Sequence, residues 1–139
     1  MKKILFPLLI LMCFAPQSSF AEEKPKYENY QQALQKAKEQ KKTTFLYFTA
    51  KWCGPCQTMK KNVIEPLLPF LEERHICYFL DVDKEPEVSQ AYLKAKIFKN
   101  IPFYCVIGKD GKKILIKKEG TLSRKKFIEW HNQKSKKEN

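Results

Sequence analysis

The sequence has no apolar run long enough to span a membrane. Its longest apolar stretch, residues 4–15, is about 12 residues long, whereas a membrane-spanning helix needs roughly 20. The chain also lacks an internal repeat, and its 139 residues leave no room for a second hydrophobic core beside one domain of ordinary size. We therefore expect a single domain without a membrane anchor.

The short apolar run has the features of a secretory signal peptide. Lys2 and Lys3 precede it, and a stretch rich in small residues, 18–21, follows it. A positive start, an apolar middle and a small-residue end are typical of a cleaved export signal. We predict cleavage after Ala21 and a periplasmic location in a bacterium, with secretion as the alternative.

Acidic residues are scarce, with 15 Asp and Glu against 27 Lys and Arg. Cleavage would remove two lysines and lower the formal net charge from +12 to +10. Such a charge suits nucleic acid, anionic membranes or acidic partners. Export argues against nucleic acid, so we interpret the charge as a solvated, lysine-rich surface. We predict a domain over residues 22–132 and a disordered, polar, basic tail over residues 133–139.

The apolar pattern predicts alternating helices and strands. Helical spacing, short uncharged runs and turn residues divide the chain into distinct elements. They are helices over residues 27–41, from 56 toward 62, from about 66 onward, 87–94 and after Ser123, and strands over residues 45–50, 76–82, 103–107 and 112–118. We expect Pro66 and Pro69 to break or kink the second helix, since proline lacks an amide donor. The predicted class is α/β, a sheet sandwiched by helices.

Histidine is also scarce, and this bears on the Cys53-Gly54-Pro55-Cys56 motif. A C-x-x-C pair can be half a zinc site, a structural disulfide or a redox centre. A structural zinc site needs four ligands. The remaining candidates are scattered without a second ligand pair, so we predict no metal site: His75, Cys77, Cys105 and His131.

The position of the motif favours redox chemistry. A cysteine at a helix N-terminus meets unpaired backbone amides and the positive end of the helix dipole, which favour thiolate. Cys53 stands there, so it is the predicted nucleophile, and Cys56, one turn later, is the predicted resolving cysteine. Gly54 leaves room for a partner, Pro55 suits the first turn, and Trp52 offers a flat apolar surface.

These residues resemble thioredoxin. The pentapeptide Trp52-Cys53-Gly54-Pro55-Cys56 follows a strand that ends at Ala50, as in that family. The resemblance continues through Asp81-Val82-Asp83, Asn100-Ile101-Pro102 and Gly120 with Leu122 and Ser123, and it covers residues 43–131. It implies a thioredoxin-like fold with a central mixed β-sheet of about four strands flanked by helices. The absence of an N-terminal strand resembles exported relatives, with residues 76–82 near one edge of the sheet.

The resemblance also implies roles for individual residues. The proline that matches Pro102 is cis in that family and faces the cysteine pair, and the backbone before it, here Ile101, pairs with the substrate chain. The implied catalytic residues are Cys53 and Cys56. The implied substrate-binding residues are Trp52, Gly54, Pro55, Ile101 and Pro102. No cofactor is expected beyond the redox-active disulfide.

Two positions depart from the family. Thioredoxin's buried aspartate, which helps deprotonate the resolving cysteine, aligns with Tyr47, and its lysine partner aligns with Phe79. Because a phenol has a pKa of about 10, we expect that Tyr47 does not replace the acid and that Cys56 is activated in another way. We further predict that Cys77 and Cys105, on strands that flank 45–50, are free, mostly buried thiols without a catalytic role.

The predicted function is that of an extracytoplasmic thiol-disulfide oxidoreductase. A protein-disulfide reductase is preferred because the Gly-Pro dipeptide is the one found in reducing thioredoxins. A reductase in an oxidising compartment must be recharged, which implies a membrane electron-transfer protein as partner. Alternatives are an oxidase, an isomerase, an apocytochrome c thiol reductase, or a non-catalytic binding module with a structural disulfide. We expect a monomer.

Overall fold

The computed structural model describes residues 26–133. The predicted signal peptide lies outside the described residues, as does all but the first residue of the predicted tail. The elements are the helices α1 (Tyr30–Glu39), α2 (Gly54–Met59), α3 (Glu65–Arg74), α4 (Pro86–Lys94) and α5 (Arg124–Asn132), a π-helical turn (Lys60–Ile64) between α2 and α3, and the strands β1 (Thr43–Thr49), β2 (His75–Asp81), β3 (Phe103–Ile107) and β4 (Ile114–Glu119).

The four strands form one mixed sheet in the order β2-β1-β3-β4. Strand β1 pairs in parallel with β2 and antiparallel with β3, and β3 pairs antiparallel with β4. The prediction of a four-stranded mixed sheet with β2 at an edge is confirmed. All seven residues of β1 are buried, because a central strand without charge can be covered on both faces.

Alternate residues of β1 enter two hydrophobic cores on opposite faces of the sheet. Leu46 and Phe48 pack with the apolar side chains of α1 and α4. Phe45 and Tyr47 pack with those of α2, the π-helical turn, α3 and α5. The period of two along a strand therefore divides the helices into two layers, and the site lies at the C-terminal end of β1.

Helix α1 is shorter than predicted because a polar side chain caps it. The side chain of Asn29 accepts a hydrogen bond from the amide of Gln32, so the helix begins at Tyr30 rather than at residue 27. Asparagine at this position satisfies one of the unpaired amides of the first turn. The predicted buried face is confirmed for Ala33, Leu34 and Ala37.

The helix that follows the cysteine motif continues past both prolines. Its second piece was expected near Pro66 and begins at Glu65, but the chain is not interrupted there, since the π-helical turn joins α2 to α3. Pro66 supplies no amide to the carbonyl of Asn62. That carbonyl instead accepts a hydrogen bond from Arg124 Nη2 at 3.0 Å. The expected break or kink takes the form of this π-helical turn: regular α-helix ends at Met59 and resumes at Glu65, and a side chain of α5 compensates for the missing donor.

The hairpin turn delays the start of β4. Asp110 Oδ1 accepts hydrogen bonds from the amides of Lys112 and Lys113 at 2.9 and 3.1 Å, so these two residues belong to the turn rather than to the strand. Gly111 has a φ of 69°, a left-handed conformation that glycine adopts without strain. Within residues 26–133 no helix combines the length and the apolar character needed to cross a membrane.

Candidate active site

Cys53 caps the N-terminus of α2 with its own side chain. The chain leaves β1, turns through Ala50, whose carbonyl accepts a hydrogen bond from the Cys53 amide at 3.2 Å, and enters the helix at Gly54. Cys53 Sγ accepts a hydrogen bond from the Cys56 amide at 3.3 Å. This amide would otherwise be unpaired in the first turn, and it favours negative charge on the sulfur of Cys53.

Cys53 and Cys56 form a disulfide, with 5.2 Å between their Cα atoms. Their accessibility differs: Cys53 is 6% exposed, Cys56 is fully buried, and Gly54 and Pro55 between them are exposed. A Cβ placed on Gly54 would meet no atom of this chain within 4 Å. A partner protein can therefore approach Cys53 across Gly54, whereas Cys56 is shielded from a partner protein.

The loop before β3 lies directly opposite Cys53. The Ile101–Pro102 peptide bond is cis, which confirms the expectation from the resemblance. Cys53 Sγ lies 4.0 Å from the carbonyl oxygen of Ile101. Half-buried Ile101 packs against a small apolar cluster formed by Ala50, Cys53 and Cys56. The geometry brings together the two cysteines and the backbone that was predicted to bind substrate.

Glu119 holds this loop, and the sequence analysis did not single it out. Its Oε1 accepts a hydrogen bond from the Lys99 amide at 2.7 Å and its Oε2 one from the Asn100 amide at 3.4 Å. On the other side of the cis bond, the Gly120 amide donates to the Pro102 carbonyl at 2.8 Å. In the sequence, Glu119 stands out only as an acid that follows two lysines in an edge strand. Its hydrogen-bond partners lie 19 and 20 residues earlier in the chain, so the sequence alone does not reveal the contact.

Trp52 forms one wall of an open groove beside Cys53. The residue is 69% exposed, and its Nε1 donates a hydrogen bond to Asp83 Oδ2 at 2.8 Å. The groove has a volume of about 770 Å³ and runs from Cys53 to α4 and the cis-proline loop. The two exposed large apolar side chains among the described residues, Trp52 and Leu93, both line it. The sequence analysis named Asp83 only as part of the family resemblance and did not single out Leu93, so neither was predicted as a site residue.

Gln57 ties the start of α2 to the end of β1. Its Nε2 donates to the Ala50 carbonyl at 2.8 Å and to Thr49 Oγ1 at 3.2 Å. These bonds add to the backbone pairing of Thr49 with β2 and fix the direction in which the helix leaves the sheet. Glutamine next to Cys56 gave no sequence signal, because the same residue in an ordinary exposed helix makes no such contact.

The position of the family's buried acid is occupied by a neutral side chain. Tyr47 is fully buried, and its hydroxyl donates a hydrogen bond to the Cys56 carbonyl at 3.0 Å. Burial raises the pKa of the phenol well above its usual value, so it stays protonated near neutrality and is not a base. Its ring packs edge-on against Phe79 at 5.9 Å, and the Lys60 ammonium lies 5.0 Å from the centre of the Phe79 ring.

Comparison with known families accounts for this arrangement. A family model described as Thioredoxin-like matches residues 26–109, which is more than half of the chain. The chain belongs to the thioredoxin-like family. It is a thioredoxin-like redox protein with a disulfide-capable pair, Cys53 and Cys56.

Individual relatives cover this thioredoxin-like chain in part. It is 32% identical over 94 residues to the TPR repeat-containing thioredoxin TDX of Arabidopsis thaliana, covering 64% of this chain and 22% of that protein. It is 35% identical over 66 residues to Thioredoxin H-type of Fagopyrum esculentum, covering 47% of this chain and 54% of that protein. The chain thus spans from a fifth to about half of the curated relatives it matches.

A solved structure supports the fold. The solution structure of a thioredoxin from Thermus thermophilus superposes with a TM-score of 0.65 at 23% identity, covering 77% of this chain and 83% of the other. At this level of identity the likeness concerns the thioredoxin-like fold alone.

The remaining cysteines of the thioredoxin-like domain are free and buried, as predicted. Cys77 pairs with Phe45, and Cys105 pairs with Leu46. Because Phe45 and Leu46 point to opposite faces of the sheet, the two thiols lie in different cores. Burial raises the pKa of both thiols to about 12. Within residues 26–133, His, Cys, Asp and Glu side chains form no cluster of three or more that could hold a metal ion.

Proposed function

We propose that this protein is an exported thiol-disulfide oxidoreductase that reduces disulfides in other proteins. The observation that carries the proposal is the unequal setting of the two cysteines. Cys53 caps α2, and its Sγ accepts a hydrogen bond from the Cys56 amide. It faces the carbonyl of Ile101 beside an open groove. Cys56 is buried behind it. A permanent structural disulfide would need neither the cap nor the groove.

The proposed reaction begins with the dithiol. The Cys53 thiolate attacks one sulfur of the substrate disulfide, and the other substrate sulfur leaves as a thiol after taking a proton. Cys56 then loses its proton and attacks Cys53 Sγ, which breaks the mixed disulfide and releases the second substrate thiol. Two electrons pass from the cysteine pair to the substrate, and the pair ends as the disulfide that the structure contains.

Substrate binding is assigned to the groove and the cis-proline loop. Trp52, Gly54 and Pro55 line one side of the groove, and Ile101 lines the other. Pro102, joined to Ile101 by the cis bond, is buried next to the groove and not part of its lining. The carbonyl oxygen of Ile101 lies beside Cys53. There it can accept a hydrogen bond from a backbone amide of an extended substrate chain. A groove of about 770 Å³ that is open along its length suits a polypeptide segment, so the proposed substrates are protein disulfides.

The direction and the compartment are part of the same proposal. The Gly-Pro dipeptide supports reduction, and the signal-like N-terminus supports export to the periplasm. Regeneration then requires a membrane protein that delivers electrons from the cytoplasm. The proposed protein acts as a monomer, needs no cofactor besides its own disulfide and binds no nucleic acid.

Two measurements test the reaction. The reduction potential of the Cys53–Cys56 pair distinguishes a reductase, at about −270 mV, from an oxidase, at about −120 mV. Insulin reduction by the wild type should be lost in Cys53→Ser. Equal insulin reduction by Cys53→Ser and the wild type would reject catalysis and favour a binding module with a structural disulfide.

Partners and location are tested in cells. Cys56→Ser cannot resolve the mixed disulfide, so it should accumulate covalent complexes with substrate proteins and with the electron donor. Fractionation followed by N-terminal sequencing should find a periplasmic protein that begins at Glu22. A protein that keeps its first residues in the cytoplasmic fraction would contradict export while leaving the redox chemistry intact.

A further inference from the structure

Lys60 is placed to act on the resolving cysteine. It stands four residues after Cys56, and its backbone amide donates to the Cys56 carbonyl. Side chains four apart lie on one face of a helix and lean toward its N-terminus. The side chain of Lys60 therefore extends back in the direction of Cys56, on the face of α2 that is turned to the sheet.

Contacts with the sheet hold the ammonium of Lys60 in place. It lies 5.0 Å from the centre of the Phe79 ring, and Phe79 packs edge-on against Tyr47, whose hydroxyl donates to the Cys56 carbonyl. A cation over an aromatic face is attracted to it. Lys60 is half-buried, so water screens its charge less than that of an exposed lysine.

The other titratable side chains on the elements around Cys56 are either hydrogen-bonded to other residues or uncharged. Tyr47 on β1 is protonated because burial raises its pKa. At the end of β2, Asp81 Oδ1 accepts a hydrogen bond from the amide of Asp83. Asp83 Oδ2 accepts a hydrogen bond from Nε1 of Trp52. Within residues 26–133 no aspartate or glutamate is buried, so the described part of the chain holds no buried acid to take the proton of Cys56.

We propose that the ammonium of Lys60 stabilises the thiolate of Cys56 during the step that resolves the mixed disulfide. The inference rests on the proposed oxidoreductase function. The proton of Cys56 leaves to water, since a charged lysine cannot accept it. The thiolate then attacks Cys53 Sγ, the bond between Cys53 and the substrate breaks, and the departing substrate sulfur carries the electron pair and is protonated by solvent. Lys60 takes no proton and forms no bond; it acts through charge alone.

The experiment removes the charge while keeping the shape. Lys60→Met retains a long apolar side chain against Phe79, and Lys60→Arg retains the positive charge. Lys61→Met is the matched control, because Lys61 is the exposed neighbour. Each substitution is made in the full chain, in both the wild-type and the Cys53→Ser background, and folding is checked by circular dichroism.

The first readout is the pKa of Cys56 in the Cys53→Ser background, followed by the ultraviolet absorbance of its thiolate. We expect Lys60→Met to raise this pKa by about one unit, which is a tenfold loss of thiolate near neutrality. Lys60→Arg and Lys61→Met should leave it close to the parent value. An unchanged pKa in Lys60→Met would overturn the inference whether or not the protein reduces insulin.

The second readout is the pH profile of insulin reduction. We expect the Lys60→Met profile to move to higher pH and its covalent intermediate to persist about tenfold longer than in wild type. Equal profiles for Lys60→Met and Lys61→Met would also overturn the role of Lys60. Failure of the wild type itself to reduce insulin would reject the proposed function instead, and the Cys56 titration would still report on the charge effect.

Discussion

The hydroxyl of Tyr47 donates a hydrogen bond to the backbone carbonyl of Cys56 at 3.0 Å. A side chain at the centre of β1 therefore braces the first turn of α2 directly beneath the cysteine pair. The same carbonyl also receives the amide of Lys60. Tyr47 thus occupies the place of an acid-base group as a structural contact, and its raised pKa keeps it neutral in that role.

Tyr47→Phe should destabilise the protein slightly and leave turnover in place. The lost hydrogen bond is worth about 0.5 to 1.5 kcal/mol, and the carbonyl of Cys56 keeps its second donor. Urea unfolding measures the stability, and insulin reduction measures the activity. Loss of turnover in a folded Tyr47→Phe protein would show instead that the phenol takes part in proton transfer.

Trp52→Ala should weaken reduction of protein substrates by about fivefold to tenfold in kcat/KM, as expected for an aromatic anchor. Stability should change little, since the ring is mostly exposed. Reduction of a small disulfide, which does not fill the groove, should be unaffected. The control is Lys51→Ala, an exposed neighbour. Equal losses with protein and small substrates would place Trp52 in the chemistry of Cys53 rather than in binding.

Glu119→Ala should raise KM for protein substrates several-fold with a smaller effect on kcat. The carboxylate accepts hydrogen bonds from the backbone amides of Lys99 and Asn100. Without it, the backbone segment that leads to Ile101 loses these two hydrogen bonds and becomes more mobile. Charge-assisted hydrogen bonds contribute about 1.5 to 3 kcal/mol each when well formed, so Glu119→Gln should recover part of the effect. Lys118→Ala, one residue earlier, is the control. A change in kcat alone would contradict a positioning role.

Cys77 and Cys105 should resist alkylation in the folded protein at pH values at which Cys53 reacts. Burial raises the pKa of both thiols to about 12, so neither supplies thiolate. Mass spectrometry after iodoacetamide treatment of the reduced protein, with and without urea, counts the modified cysteines. Detection of a bridge between Cys77 and Cys105 would contradict their placement on opposite faces of the sheet.

The same two thiols predict a loss of stability in alkali. A pKa that is raised on folding gives stability that is complete below the unfolded pKa, about 8.5, and is lost as the pH rises toward 12. We expect the loss to be about 1 to 2 kcal/mol per thiol at pH 10. A Cys77→Ala/Cys105→Ala protein should show a shallower alkaline decline in urea unfolding than wild type. Parallel declines would assign the effect to the buried tyrosines.

Local sequence predicted the elements because each depends on its own residues. Uncharged runs became strands, and Ser123 caps α5 by accepting the amide of Lys126. Local sequence did not predict how the chain passes Pro66. A π-helical turn replaces regular α-helix before that residue, and Arg124 satisfies the carbonyl of Asn62 from another element.

By itself, the sequence determined the family, the order of the elements and the cysteine pair, since a motif at a strand-to-helix junction needs only neighbours in the chain. Tertiary structure alone decided what surrounds the pair. The register of the sheet carries Glu119 to the cis-proline loop, and packing of α2 on the sheet sets Lys60 over Phe79. These contacts join residues about 20 positions apart, and such pairs meet only once the sheet has formed and buried its two faces.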